Sequence, residues 1–186
     1  MNIGFAMCGS FCTYGEVFPI IELLSRDYRI TPIFSTAAAT VDSRFGTAAE
    51  HLQQAAEICG RKPLATIAEV EPIGPKKLLD ALIVAPCTGN TLAKLAHSIA
   101  DTPVTMAVKS HLRNGRPVIL AVSTNDALGG AAENIGKLLS RKHYYFVPFR
   151  QDDAVNKPTS MVADFSRLHE TLEAALQGKQ LQPLLL

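Results

Sequence analysis

Residues 81–101, ALIVAPCTGNTLAKLAHSIAD, restrict the possible folds more than any other stretch of the chain. The run 81–85 is apolar without alternation, the pattern of a strand buried on both faces of a parallel sheet. Pro86 and the small residues Cys87, Thr88, Gly89 and Asn90 interrupt it, and an amphipathic helical pattern begins near Thr91. In an open α/β sheet, a strand, loop and helix in this order set the strand's carboxyl end against the free N–H groups of the helix, where anions are held. Thr88, Gly89, Asn90 and Thr91 supply two hydroxyls, an amide and a glycine that lets backbone N–H groups approach a phosphate. The same residue types also cap helices without any ligand, so the loop has two readings.

The same grammar recurs along the chain. Residues 3–8 read as a strand that runs into the turn Gly9, Ser10, Phe11, Cys12, Thr13, Tyr14, Gly15, with helical spacing over 17–24. This turn has neither the GxGxxG spacing of a dinucleotide site nor the GK[ST] of a P-loop. Residues 29–34 form a second strand ending in Ser35 and Thr36, and a helix is expected over 45–59. Prolines 63, 72 and 75 make 60–75 mostly connector, with a helical turn near 67–70. Thr102 and Pro103 open a helix that continues to Leu112 and stops at Asn114 and Gly115. A fourth strand, 118–122, ends in Ser123, Thr124, Asn125 and Asp126; a helix over 131–139 precedes a fifth strand, 144–147. A closing helix is expected over 161–176, and the apolar tail 183–186 is expected to pack between protomers. The alternation predicts a single α/β domain over 1–186: a Rossmann-like, flavodoxin-type doubly wound parallel sheet in three layers. Ser and Thr at successive strand ends predict one crevice that binds a phosphate monoester through hydroxyls and backbone N–H groups.

Charge narrows the partners. Lys and Arg total 18 against 17 Asp and Glu, with no dense basic run, which argues against nucleic acid and anionic membranes. No apolar run reaches the roughly 18–20 residues of a membrane span, and the first residues enter a strand directly, so a cytoplasmic protein is expected. The four cysteines, Cys8, Cys12, Cys59 and Cys87, then read as reduced thiols, and neither their spacing nor any His cluster makes a metal site.

Several side chains carry two readings. Cys87 is either a nucleophile activated by a helix terminus or a small residue packed beside the loop, and Cys12 is similar. Lys109, His111, Arg113 and Arg116 form a solvated helix end, or else they contact a dicarboxylate or a partner protein. Arg150, Asp152 and Asp153 form a surface turn or reach the crevice. His97 reads as structural or interfacial.

Gly9-Ser10 after the first strand, PCTGNTLAKLAHSIADTPVT at 86–105, and Ser123-Thr124-Asn125 followed by Glu133-Asn134-Ile135 resemble the homo-oligomeric flavin-containing cysteine decarboxylase family. The resemblance spans nearly the whole chain and implies FMN or a related flavin, in trimers or multiples of them. It implies that Gly9, Ser10, Ser35, Thr36, Thr88, Asn90 and Thr91 hold the flavin phosphate and ribityl chain, with Phe11, Pro86 and Ser123 beside them. Asn125 matches the asparagine of the family's PxMNxxMW motif and would hold a substrate carboxylate. Val122, Thr124, Leu128 and Gly129 depart from that motif, which argues against cysteine decarboxylation. His51 lies in the general region of the decarboxylases' histidine without its flanking motif.

A narrower resemblance covers 72–126 and 145–165. It points to a sporulation-linked branch in which a dehydrogenase-like partner protein carries NADPH and the product is a pyridine dicarboxylate. The implied role is that of an oxidoreductase component in the mother-cell cytoplasm. The alternatives are a non-catalytic docking component with a vestigial pocket, or a stand-alone FMN-dependent decarboxylase.

Overall fold

A computed structural model describes residues 1–186. The strands are β1 (Asn2–Met7), β2 (Arg29–Phe34), β3 (Ala81–Cys87), β4 (Val118–Thr124), β5 (Tyr144–Phe146), β6 (Phe149–Gln151) and β7 (Met161–Ala163). The helices are α1 (Tyr14–Ser25), α2 (Thr36–Thr40), α3 (Ala48–Cys59), α4 (Ile67–Val70), α5 (Gly89–Ala96), α6 (Pro103–Leu112), α7 (Ala132–Leu139) and α8 (Leu168–Leu176). Five strands are parallel in the order β2-β1-β3-β4-β5. This is the flavodoxin-like doubly wound order, with its crevice at the carboxyl ends. Helices α1 and α8 pack on one face, α4 to α7 lie on the other, and α3 sits against α1 and β2. All of β3 is buried, as are five of the six positions of β1, so their unbroken apolar runs reflect cover on both faces.

The sheet has one addition to the expected parallel design. β5 pairs only with residues 118–120 of β4, leaving the end of β4 with an open edge. There β7 pairs antiparallel with Ser123 and Thr124, and β6 pairs with β7. Residues 161–163, expected as the start of a helix, are instead a strand, because the backbone groups at the end of β4 would otherwise lack partners. Only 168–176 is α-helical. The tail closes the far edge of β6: Phe149 N–H donates to the Leu184 carbonyl and Leu186 N–H to the Phe149 carbonyl. Leu184 therefore packs on its own chain, while Leu185 and Leu186 stay 66% and 48% exposed.

Caps end the helices where the sequence signals them. Thr102 and Thr105 form a capping box with Pro103 in the first turn of α6. Thr47 and Glu50 do the same for α3, which ends on Gly60 in the left-handed region. Helix α3 starts at Ala48 because 43–46 make a closed turn, in which Ser43 and Gly46 exchange backbone hydrogen bonds. No helix is long and apolar enough to cross a membrane.

Candidate functional site

The carboxyl ends of β1, β3 and β4 open into a cleft of about 880 Å³. Its base is a line of hydroxyls. Ser10 Oγ and Ser123 Oγ lie 2.7 Å apart, joining the ends of β1 and β4 across β3. Thr88 follows β3 directly; it accepts a hydrogen bond from Thr91 N–H at 3.3 Å and donates to Thr91 Oγ1 at 3.1 Å. Thr91 Oγ1 in turn donates to Cys8 Sγ at 3.3 Å. Thr91 is thus turned inward as a tie between α5 and β1, while Thr88 faces the cleft.

Of the residues expected to bind a ligand, Gly9, Ser10, Phe11, Thr88, Ser123 and Asn125 line this cleft. Ser35, Thr36, Pro86, Asn90 and Thr91 do not. Ser35 is buried as the cap of α2, accepting from Ala38 N–H, and Thr36 begins that helix with its carbonyl bonded by Thr40. Pro86 lies inside β3, where the pairing register with β4 shifts between Val84 and Cys87. Asn90 is exposed in the first turn of α5. Asn125 is exposed, and its backbone carbonyl accepts from Thr159 Oγ1 at 2.7 Å.

The amino end of α5 is not open to an anion in the simple way its sequence suggests. A Cβ placed on Gly89 would lie 2.7 Å from Thr124 Oγ1 and 2.8 Å from Asp126 Oδ1. The Asp126 carboxylate therefore sits beside the first turn of α5, where it complements the helix dipole itself. An anionic ligand is better served farther along the cleft, where two cations stand.

Those cations, Arg44 and Lys157, are not evident from the sequence. The Arg44 guanidinium lies 4.8 Å from the Phe45 ring centroid and has no carboxylate partner. Its turn is fixed from below: His51 lies 3.2 Å from the Phe45 carbonyl, and its ring packs against Phe11, Tyr14 and Phe18. Gly46 has φ +128°, and a Cβ there would meet His51 Nε2 at 2.8 Å, so this glycine is required. The only sequence signal for the turn is Ser43-Arg44-Phe45-Gly46 ahead of a capping box. His51 itself is 5% exposed and reaches the cleft only through Phe11 and Phe45; its Nδ1 is buried without a partner.

The opposite wall is the loop 152–160 between β6 and β7. Asp152, Lys157 and Ser160 line the cleft, whereas Arg150 and Asp153 do not. Lys157 Nζ lies 3.0 Å from Asp152 Oδ2. The Ser160 hydroxyl and then Lys157 hold the Asp152 carboxyl below the usual carboxylate range. Thr159 anchors the loop to the segment after β4, through its hydroxyl on the Asn125 carbonyl and its own carbonyl on Leu128 N–H.

The cysteines separate clearly. Burial pushes the Cys8 thiol up to about 11 and Cys87 well above its ordinary value. Cys87 is 0% exposed, which rules out the nucleophile reading and leaves it a packed residue. Cys12 lines the cleft. The basic group at the end of α6 disperses as well. His111 is buried with Nε2 donating to the Pro117 carbonyl at 3.1 Å, Arg116 donates to the Leu79 carbonyl and pairs with Asp80, and none of the four residues reaches the cleft.

The donor set suits a phosphate-bearing flavin: hydroxyls for a ribityl chain, the unpaired Arg44 for the phosphate charge with Lys157 shared between it and Asp152, and Phe11, Phe45, Met161 and Val162 as apolar walls for a ring. The flavoprotein family model matches residues 1–166. The chain is 44% identical to the B subunit of dipicolinate synthase from Bacillus subtilis (strain 168), over 99% of its own length and 92% of that protein. It superimposes on the crystal structure of the dipicolinate synthase B subunit from Bacillus halodurans C with a TM-score of 0.91 at 42% identity, covering 100% of this chain and 95% of that one. The FMN-dependent cysteine decarboxylase SpaF shares the fold at 21% identity and a TM-score of 0.70, over 94% of this chain and 97% of that one. DmrB from Burkholderia xenovorans, solved in complex with FMN, does so at 19% and 0.68, with 95% of each chain covered. The chain belongs to the flavoprotein family, and within it to the group of dipicolinate synthase B subunits.

Proposed function

We propose that this chain is the flavin-fold component of dipicolinate synthase, and that with the synthase's other, dehydrogenase-like component it converts a cyclic dihydro- or tetrahydrodipicolinate precursor to dipicolinic acid. The observation that carries this reading is the 44% identity, end to end, with a protein of that name. Making the aromatic ring from a dihydro precursor removes two electrons and two protons; a tetrahydro precursor bearing a hydroxyl must also lose water. The dehydrogenase-like partner is assigned the nicotinamide chemistry: its NADP+ takes up the two electrons and one proton as a hydride and becomes NADPH, and the second proton goes to solvent. FMN bound in the cleft would relay those same two electrons from the precursor to NADP+.

The chain's own residues have separate tasks. Ser10, Thr88 and Ser123 hold the hydroxyl oxygens of a ribityl chain at the floor of the cleft, and Arg44 with Lys157, farther along it, neutralises the phosphate or one carboxylate of the dicarboxylate. The exposed Asn125 amide holds a carboxylate through its N–H. Asp152, kept ionised, anchors Lys157. The working form is a homo-oligomer, a trimer or a multiple of it, in the mother-cell cytoplasm of a sporulating bacterium, with no nucleic acid or membrane partner.

Two measurements test this. The visible absorbance spectrum of the purified protein, before and after FMN is added and the excess removed, is expected to show retained flavin. Pyridine dicarboxylate formation is expected only when both components are present, and to fall at least about tenfold with Asn125→Ala, the loss of one hydrogen bond to a charged group. Synthesis that needs this chain while the protein stays colourless and rejects FMN would replace the flavin role by substrate holding or docking of the dehydrogenase-like partner. Full activity of that partner alone would overturn the reading.

A further inference from the structure

A second cavity, of about 330 Å³, lies at the other end of the sheet. Its position is set by Tyr144, which begins β5, and by His143, whose carbonyl accepts from Val118 N–H at the start of β4. The floor is apolar: Leu95 from α5, Val108 and Leu112 from α6, with Ile99 at the edge and 46% exposed. The rim is cationic. Lys109 and Lys142 line it and pair with no carboxylate, and the nearby Asp101 is already held by Lys94 at 2.8 Å.

One further arrangement removes the obstacle to an anion. The carbonyl end of α5 points toward this region and would repel negative charge. Arg141 covers it, donating to the Leu95 carbonyl at 3.1 Å and the Ala96 carbonyl at 2.6 Å. Tyr144 also lines the cavity; burial pushes its phenol up to about 12, so it remains a hydrogen-bond donor, and its hydroxyl has no partner within the chain.

We propose that this cavity is a second ligand site, separate from the cleft, that binds a single-ring carboxylate with the ring on Leu95, Val108 and Leu112 and the carboxylate at Lys109 and Lys142. The volume is at the small end for ligand pockets and suits one six-membered ring rather than a nucleotide. An apolar floor with charge only at the rim selects a ring bearing an acid group, and does not select inorganic phosphate, which has no apolar body.

The test is calorimetric titration of the intact protein with benzoate, benzyl alcohol and inorganic phosphate. Saturable benzoate binding is expected, with benzyl alcohol and phosphate each at least about tenfold weaker, the loss of either the charged contact or the apolar one. K109E/K142E is expected to weaken benzoate at least about tenfold, and Ile99→Ser a few-fold, with the melting temperature unchanged in both. Arg44→Ala, in the cleft, is expected to bind benzoate as the parent does. Absence of saturable benzoate binding, equal binding of phosphate, unchanged binding by K109E/K142E, or loss of binding in Arg44→Ala would each overturn the proposal.

Discussion

The cleft and the smaller cavity stand at opposite ends of one sheet and are built from opposite materials. The cleft uses hydroxyls, an amide and charges partly paired with each other, such as Lys157 with Asp152. The cavity uses aliphatic side chains and lysines with no carboxylate partner. The difference follows from chain direction. Parallel strands all release their loops at the carboxyl end, so small polar residues collect there beside helix amino termini. At the amino end, helices terminate in exposed carbonyls, and cations such as Arg141 gather to cover them. One end is suited by topology to phosphates; the other binds only what its particular side chains select.

Breaking the cavity floor has the largest expected effect on stability. Leu95→Ala leaves a void under a side chain that is 4% exposed, and about 2–5 kcal/mol of folding stability should be lost in chemical denaturation. FMN retention in the cleft should persist at temperatures where the variant is folded. If instead flavin is lost while the fold holds, the two ends are coupled and the contrast fails.

Acid should weaken the amino end next. Burial lowers His111 from its ordinary value to about 4, so the fold favours the neutral ring and the unfolded chain takes the proton first. The stability this contributes is present above about pH 6.5 and is lost as pH falls toward 4, on the order of 3 kcal/mol across that window. Denaturation midpoints measured against pH should show this slope in the parent and a flatter one in His111→Gln.

A smaller effect separates inward from outward threonines at the cleft. Thr91→Val removes the hydrogen bonds to Cys8 and Thr88 and should cost about 1 kcal/mol, read as a lower melting temperature, with FMN retention kept. The smallest change in stability is expected for Arg44→Ala, an exposed side chain without an ion-pair partner, yet flavin retention should drop several-fold. Loss of flavin in Thr91→Val together with full retention in Arg44→Ala would reverse the assignment of which residues face the ligand.

Much of this is legible in the residues. The unbroken apolar runs at 81–85 and 118–122 are those of strands covered on both faces, and the Thr-Pro and Gly signals place α6 and the end of α3. Ser10, Thr88 and Ser123 are identifiable because strand ends can be read one at a time and parallel topology brings them together. Residues 161–163 read as helix and fold as strand, since three residues before a real helix carry no period of their own, and their state is decided by the open edge at the end of β4. Ser35 and Thr91 have the right composition for a ligand site, but whether a hydroxyl faces a cleft or a cap depends on its rotation about the strand end, which local sequence does not encode. Arg44 and Lys157 lie 113 positions apart in unremarkable turns, and only the folded chain places both on one cleft.

By itself, then, the sequence determined the doubly wound sheet, the end at which the cleft opens, and the hydroxyls of its floor, because each depends on patterns within about twenty residues of the chain. The tertiary structure alone decided the antiparallel hairpin, the two cations of the cleft, the inward turn of Thr91 and the cavity beneath α5 and α6. Those features depend on which backbone edge was left open and which side chains arrived from distant segments, and such contacts exist only after the chain has closed on itself.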